Sequence, residues 1–221
     1  MYEYDLAVYG HITVDRIIIN FKEEISLGAI ANFWNALNVI NTNIKYKLAP
    51  CAMGEAVVLV NETSSQRFGR GNLNLKTTKP SVVNAHWHHV LYLNKLKDTS
   101  FMKSLNGKVS ADLTAGDMNI MNEIKYVDYL FISEEDLFMD VKELAKLTRG
   151  YVILHYPSGS MCTNGEEQYA FTTEVKDNIN VLGAGDAFAA CFISNMLNTD
   201  NIEKSLEKAH EQTLKVLTYE N

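Results

Sequence analysis

The sequence predicts one α/β domain, with a mainly parallel sheet and helices on both faces. Two observations carry this expectation. Short apolar runs alternate with segments of helical period from about residue 90 onward. The chain has 221 residues, 47% of them hydrophobic and 21% charged, enough for one buried core without requiring a second. No internal repeat, linker or low-complexity tract divides the chain, so residues 1–221 are read as a single domain.

Taken in order, residues 4–10 are apolar and end in Gly10, which reads as a buried strand. Residues 12–19, rich in β-branched side chains, read as a second strand. Apolar spacing predicts a helix over 31–40. Strands are expected at 46–53 and 56–60, divided by Gly54. The polar stretch 64–74, with Arg67, Gly69, Arg70 and Gly71, reads as a loop or an irregular edge. Strands then follow at 90–93, 108–113, 129–132 and 151–155, with helices near 99–105, 118–124 and 134–147 between them. A hairpin at 160–162 and 168–171 turns at Asn164-Gly165. Helices over 185–197 and 202–217 close the chain. In such folds ligands sit at the carboxyl ends of the strands.

The formal charge is −7. Nucleic-acid affinity rests on neutralising phosphates with Lys and Arg, so a nucleic-acid partner is not expected. Cys51, Cys162 and Cys191 form no CxxC pair and read as small buried hydrophobes of a reduced, intracellular protein. The start, Met1-Tyr2-Glu3-Tyr4-Asp5, lacks the pattern of a signal peptide, and no apolar run is long enough to span a bilayer. The expectation is a cytoplasmic protein with no membrane partner. His86, His88 and His89 cluster around Trp87, but without a spaced Cys or His partner they are read as structural.

The run that carries chemistry is Asn180-Val181-Leu182-Gly183-Ala184-Gly185-Asp186-Ala187-Phe188. Gly183, Ala184 and Gly185 leave backbone N–H groups unhindered, and the helix beginning there turns its positive dipole end toward them. Together they predict an anion hole for a transferring phosphoryl group. Asp186 falls in the first helical turn, where a carboxylate can take the proton of an attacking hydroxyl. A glycine turn followed by an acidic helix cap is the plain structural alternative. There is no Gly-Lys-Ser/Thr phosphate loop, and GxGxxG fails at Ala189-Ala190.

This run resembles the D-T-x-G-A-G-D signature of the ribokinase-like, or PfkB, carbohydrate kinases. The resemblance continues collinearly. Gly10 to Asp15 is similar to the family's opening strand, Leu27-Gly28-Ala29-Ile30-Ala31-Asn32 to its G-G-x-x-x-N segment, and Ser110-Ala111-Asp112 to a strand ending in aspartate. Ser133-Glu134-Glu135-Asp136 resembles the N-x-x-E segment, and residues 155–160 fall where a strand and turn meet the nucleotide. The resemblance implies an ATP- and Mg²⁺-dependent kinase of a small hydroxylated substrate, sugar-like or nucleoside-like. Asp186 would be the base and Gly183, Ala184 and Gly185 the anion hole. Asp15, Gly28 and Asn32 would meet the substrate; Ser133, Ser158, Gly159 and His210 would lie toward the nucleotide; Glu135 and Asp136 would act on Mg²⁺. His11 and His155 either line the site or simply end strands.

The sequence departs from the family pattern at Leu27, Ser133, Asp136, Tyr156-Pro157 and Asn180-Val181. The chain is also short for the family, with the missing part placed between Glu55 and Ala56, so residues 12–30 and 56–75 would form a reduced β lid. A strand over 12–19 left at an edge would let two copies pair as a homodimer. A relative that binds a ligand without phosphorylating it, and a nucleotide-dependent oxidoreductase, are the other two readings.

Overall fold

The structure is a computed structural model and describes residues 1–60, 67–114, 121–176 and 179–219. The strands are β1 (Tyr4–Ile19), β2 (Lys22–Ala29), β3 (Tyr46–Val60), β4 (Arg67–Thr77), β5 (Ala85–Val90), β6 (Lys108–Asp112), β7 (Tyr129–Ser133), β8 (Tyr151–Tyr156), β9 (Gly159–Thr163) and β10 (Gln168–Thr172). The helices are α1 (Ile30–Val39), α2 (Met121–Ile124), α3 (Val141–Ala145), α4 (Ala184–Thr199) and α5 (Ile202–Tyr219). Among the described residues the strands form one sheet, ordered β10-β9-β8-β7-β6-β5-β1-β3-β4, with β2 added to β1. Strands β3, β1, β5, β6, β7 and β8 run parallel; β2, β4, β9 and β10 are antiparallel additions.

Alternation along the strands sends successive side chains to opposite faces, and each face carries its own core. Leu6, Val8, Trp87, Tyr129, Phe131 and Ile153 pack against Phe33 of α1, Phe188 and Phe192 of α4, and Leu206 of α5. Ala7, Tyr9, Val90, Ala111, Leu130 and Val152 pack against Phe101, Met102, Ile124 and Leu144. The α/β class and mainly parallel sheet expected from sequence are therefore present, with both faces covered. The second cover is thinner than expected. Residues 100–104 form a 3₁₀ turn rather than an α-helix. The expected helix over 134–147 is a 3₁₀ turn at Glu134–Asp136 followed by the short α3. Asp140 starts α3 as a true N-cap, accepting from the amides of Lys142 and Glu143, so the chain must leave the helical path before it. The 118–124 helix is described only from Met121.

The largest departure lies in β1 and β3. Each was expected as two strands, and each is one long strand crossing from the central sheet into an extension. Both shift register at the crossing, between Gly10 and His11 on β1 and around Cys51 on β3. Gly10 makes the shift possible: its φ is 132°, and an added Cβ would sit 2.6 Å from the carbonyl oxygen of Leu91. Beyond the bulge, β2, β1, β3 and β4 pair as four strands. Strand β2 had not been expected at all. The polar stretch read as a loop or an irregular edge falls largely in β4, the last strand of the sheet, whose pairing with β3 shifts register; residues 61–66 lie outside the described residues. Residues 12–19 are not an edge, because β2 and β3 flank them on both sides. Glu55 and Ala56 are neighbours within a continuous strand.

The three cysteines are free and buried, as expected. The two buried histidines of the cluster turn to opposite faces of β5. His88 bonds the carbonyl of Asn106 at 2.6 Å, while His89 points to the other face, 2.9 Å from Ser110 Oγ and stacked on Phe33. Among the described residues no three His, Cys, Asp or Glu side chains converge as a metal site, and no helix is long and apolar enough to cross a membrane.

Candidate active site

The tips of β5 to β8 meet the N-terminus of α4. Gly183 is the N-cap of that helix, in the left-handed region at φ 76° and ψ 4°. A Cβ there would lie 2.8 Å from the amide of Asn32, so glycine is required both by conformation and by space. Val181 O accepts from the Ala184 amide at 3.1 Å, closing the turn. Gly185 and Asp186 follow in the first turn, where backbone N–H groups have no partner four residues back within the helix. The helix is buried on almost every side, and Asp186 is 3% exposed.

A carboxylate buried this deeply needs donors. Asp186 Oδ2 accepts from Asn32 Nδ2 at 2.8 Å, and Oδ1 accepts from the hydroxyl of Tyr92 at 2.9 Å. Asn32 reaches Asp186 because β2 turns abruptly into α1 at Ala29, whose φ of 57° is unusual for a residue with a Cβ. Tyr92 reaches it from the other side, two residues past β5, also left-handed at φ 53° and with its amide donating to Asp112 Oδ1. Three segments far apart in sequence thus hold one carboxyl group at the strand tips.

Asp15 lies on β1 beyond the bulge. Its carboxylate packs against Gly28 of β2, where an added Cβ would overlap Asp15 Oδ2. Asp15 Oδ1 is buried and, among the described residues, has no hydrogen-bond partner. An oxygen in that state is a ready acceptor for a hydroxyl donor. Asp15, Gly28 and Asn32, expected together from sequence, thus occupy adjoining parts of the β1–β2–α1 corner, although the amide nitrogen of Asn32 is directed at Asp186.

The residues expected to face the nucleotide fall into two groups. Ser133 ends β7 and donates to Asp136 Oδ2 at 2.9 Å; beside it on β8 is His155. The His155 ring lies 3.3 Å from the position of a Cβ on Gly185. Burial, then the neighbouring His210, lowers its pKa to about 4 against the pull of Asp136. Ser133, Asp136 and His155 therefore border the start of α4. His210 sits on α5, 3.0 Å from Ser160 Oγ and packed against Phe171 and Phe188, with its pKa lowered to about 4 by burial. Ser158 is exposed in the short β8–β9 turn. Gly159 is required by that hairpin, since its φ is 152° and an added Cβ would overlap the Phe171 carbonyl.

Glu135 is exposed and Asp136 is held by Ser133, with no third ligand converging among the described residues. That donor set fits Mg²⁺, which is held by one or two carboxylates with waters and phosphate oxygens completing the shell. Sequence reasoning missed Tyr92. Placing a strand over 90–93 hid the fact that β5 ends at Val90, which puts Tyr92 just past a parallel strand's carboxyl end, where ligands bind.

These observations define the class. The chain has the ribokinase-like α/β fold. It superimposes on adenosine kinase from Sinorhizobium meliloti with a TM-score of 0.74 at 13% identity, covering 96% of this chain and 93% of that one. It likewise matches a pyrophosphate-dependent kinase of the ribokinase family, solved with a pyrophosphate analog and myo-inositol. There the TM-score is 0.70 at 18% identity, over 96% and 94% of the two chains. In sequence it is similar to fructosamine kinase FrlD of Bacillus subtilis, 27% identical over 207 residues, 85% of this chain and 72% of that protein. No family model matches the sequence.

Proposed function

We propose that this chain is a cytoplasmic phosphotransferase that moves the γ-phosphate of ATP to a hydroxyl of a small sugar-like or nucleoside-like substrate. The observation that carries the reading is Asp186, a buried carboxylate in the first turn of α4, held on each oxygen by a neutral donor. Asn32 and Tyr92 favour its charged form, which is the form a general base needs. The acceptor hydroxyl gives up its proton to Asp186 and attacks the γ-phosphorus in line, so that its oxygen bonds to phosphorus as the bond from phosphorus to the bridging oxygen breaks and ADP leaves. The first-turn amides around Gly185 and the dipole of α4 stabilise charge on the transferring group. Asp15 Oδ1 accepts a second hydroxyl of the substrate, and Gly28 allows that approach. Mg²⁺, held through water by Glu135 and Asp136, would neutralise charge on the donor phosphates. Little covalent chemistry is asked of the protein; positioning and electrostatics suffice.

One observation favours a second reading, a relative that binds its ligand without phosphorylating it. The β8–β9 connection is tight, with Tyr156 paired to Gly159 and only Pro157 and Ser158 between them. This leaves little glycine-rich backbone to wrap a nucleotide. Thermal unfolding with a panel of sugars, fructosamines, inositols and nucleosides separates the two, because a ligand that binds the native state raises its melting temperature. Each compound is tested with and without Mg²⁺ and a non-hydrolysable ATP analog, and against pyrophosphate. The kinase reading predicts that both an acceptor and a phosphate donor raise the midpoint. An acceptor effect with no donor effect selects the second reading.

A further inference from the structure

We infer that Tyr92 is a positioning residue for Asp186: its hydroxyl fixes the orientation and charge of the carboxylate from the side opposite Asn32. The role rests on Asp186 being the base of the proposed transfer. Helix α4 fixes only the Cα of Asp186, and the carboxyl group could still turn about two side-chain bonds. Asn32 holds one oxygen at 2.8 Å and Tyr92 holds the other at 2.9 Å. Donors arriving from α1 and from the segment after β5 set the plane of the group. A base must first be placed within hydrogen-bond reach before its acidity matters.

Tyr92 is itself placed at a cost. It takes φ 53° and ψ 54°, a left-handed conformation few residues with a Cβ adopt. Asp112 at the tip of β6 accepts its amide proton, and the ring lies 6.1 Å from the ring of His11. A tyrosine serving only as packing would not need this backbone. The conformation is what carries the phenol over the end of the sheet to Asp186. Among the described residues, the ionisable groups facing this corner include Asp112 behind the Tyr92 amide, His11 against its ring and His155 across Gly185.

The test reads the carboxyl group directly and needs no turnover. Protein labelled with ¹³C at the aspartate carboxyl carbons is titrated by NMR, with the Asp186 signal assigned by its loss in Asp186→Asn. Tyr92→Phe removes the donor and is expected to raise the Asp186 titration midpoint by roughly one pH unit, the size of one hydrogen bond to a charged group. Replacing Tyr92 with 3-fluorotyrosine makes the phenol a stronger donor and is expected to move the midpoint the other way. Opposite shifts in the two variants cannot come from lost packing, and they hold even if Tyr92→Phe lowers the melting temperature. A midpoint unchanged in both variants overturns the role. Absence of kinase activity in the wild type would instead sink the proposed function and leave this titration as it stands.

Discussion

Glycine 183 is where backbone and chemistry constrain each other most tightly. Its left-handed φ opens α4, and its bare Cα gives Asn32 room to reach Asp186. Gly183→Ala is expected to cost about 1–2 kcal/mol for the conformation alone, read as a lower midpoint in urea unfolding. It should also lower turnover, because the new methyl pushes the Asn32 amide off the carboxylate. Stability falling with turnover unchanged would show that the Asn32 contact does not matter to the base. Gly183 to Asp186 were legible in the sequence because their chemistry is local: four consecutive residues specify the turn, the helix start and the carboxylate. Asp15 with Gly28 was legible only through the family resemblance, since a cross-strand contact has no local signature. Tyr92 was not legible, because its importance comes from a backbone conformation that leaves no mark in the residue itself.

At the scale of elements, the parallel strands β6 to β8 and the two closing helices were read correctly, give or take a few residues. They are short, apolar and bounded by polar turns, the pattern that period-based reading handles best. Gly10 and Gly54 look like strand ends, yet β1 and β3 run through them, because neighbours on both sides supply the pairing that propensity alone would not. Strand β2 was missed because it opens on the charged run Lys22-Glu23-Glu24 and is exposed over Lys22 to Leu27, so the short alternation of Ile25, Leu27 and Ala29 does not stand out as a strand. It nevertheless carries Gly28 to Asp15 and leads directly into the helix bearing Asn32. Strand β5 was misplaced because three histidines made a buried strand look polar. His88 and His89 are buried, with His88 Nε2 against the Asn106 carbonyl and His89 Nδ1 against the Ser110 hydroxyl.

Three histidines on different elements, His89, His155 and His210, give the whole molecule a pH dependence. Burial lowers the pKa of His89 to about 3 and those of His155 and His210 to about 4. The same groups titrate near 6.5 in an unfolded chain. Between roughly 4 and 6.5 the unfolded state therefore binds more protons than the native one, so stability rises with pH across that window and gains nothing further above it. The melting midpoint should fall steadily from pH 7 to pH 5, and His155→Gln should flatten the slope. A midpoint that holds constant over that range would mean these rings are more open to water than their surroundings indicate.

The account stands on a proton leaving an alcohol for the carboxylate at the start of α4. Its most direct measurement is acceptor-dependent ATP consumption, compared between the wild type and Asp186→Asn, with calorimetry confirming that the variant still binds both ligands. The expected result is a fall in turnover of roughly 10²- to 10⁴-fold with binding retained, the range a positioned acid–base group contributes. Wild-type turnover in Asp186→Asn would contradict it.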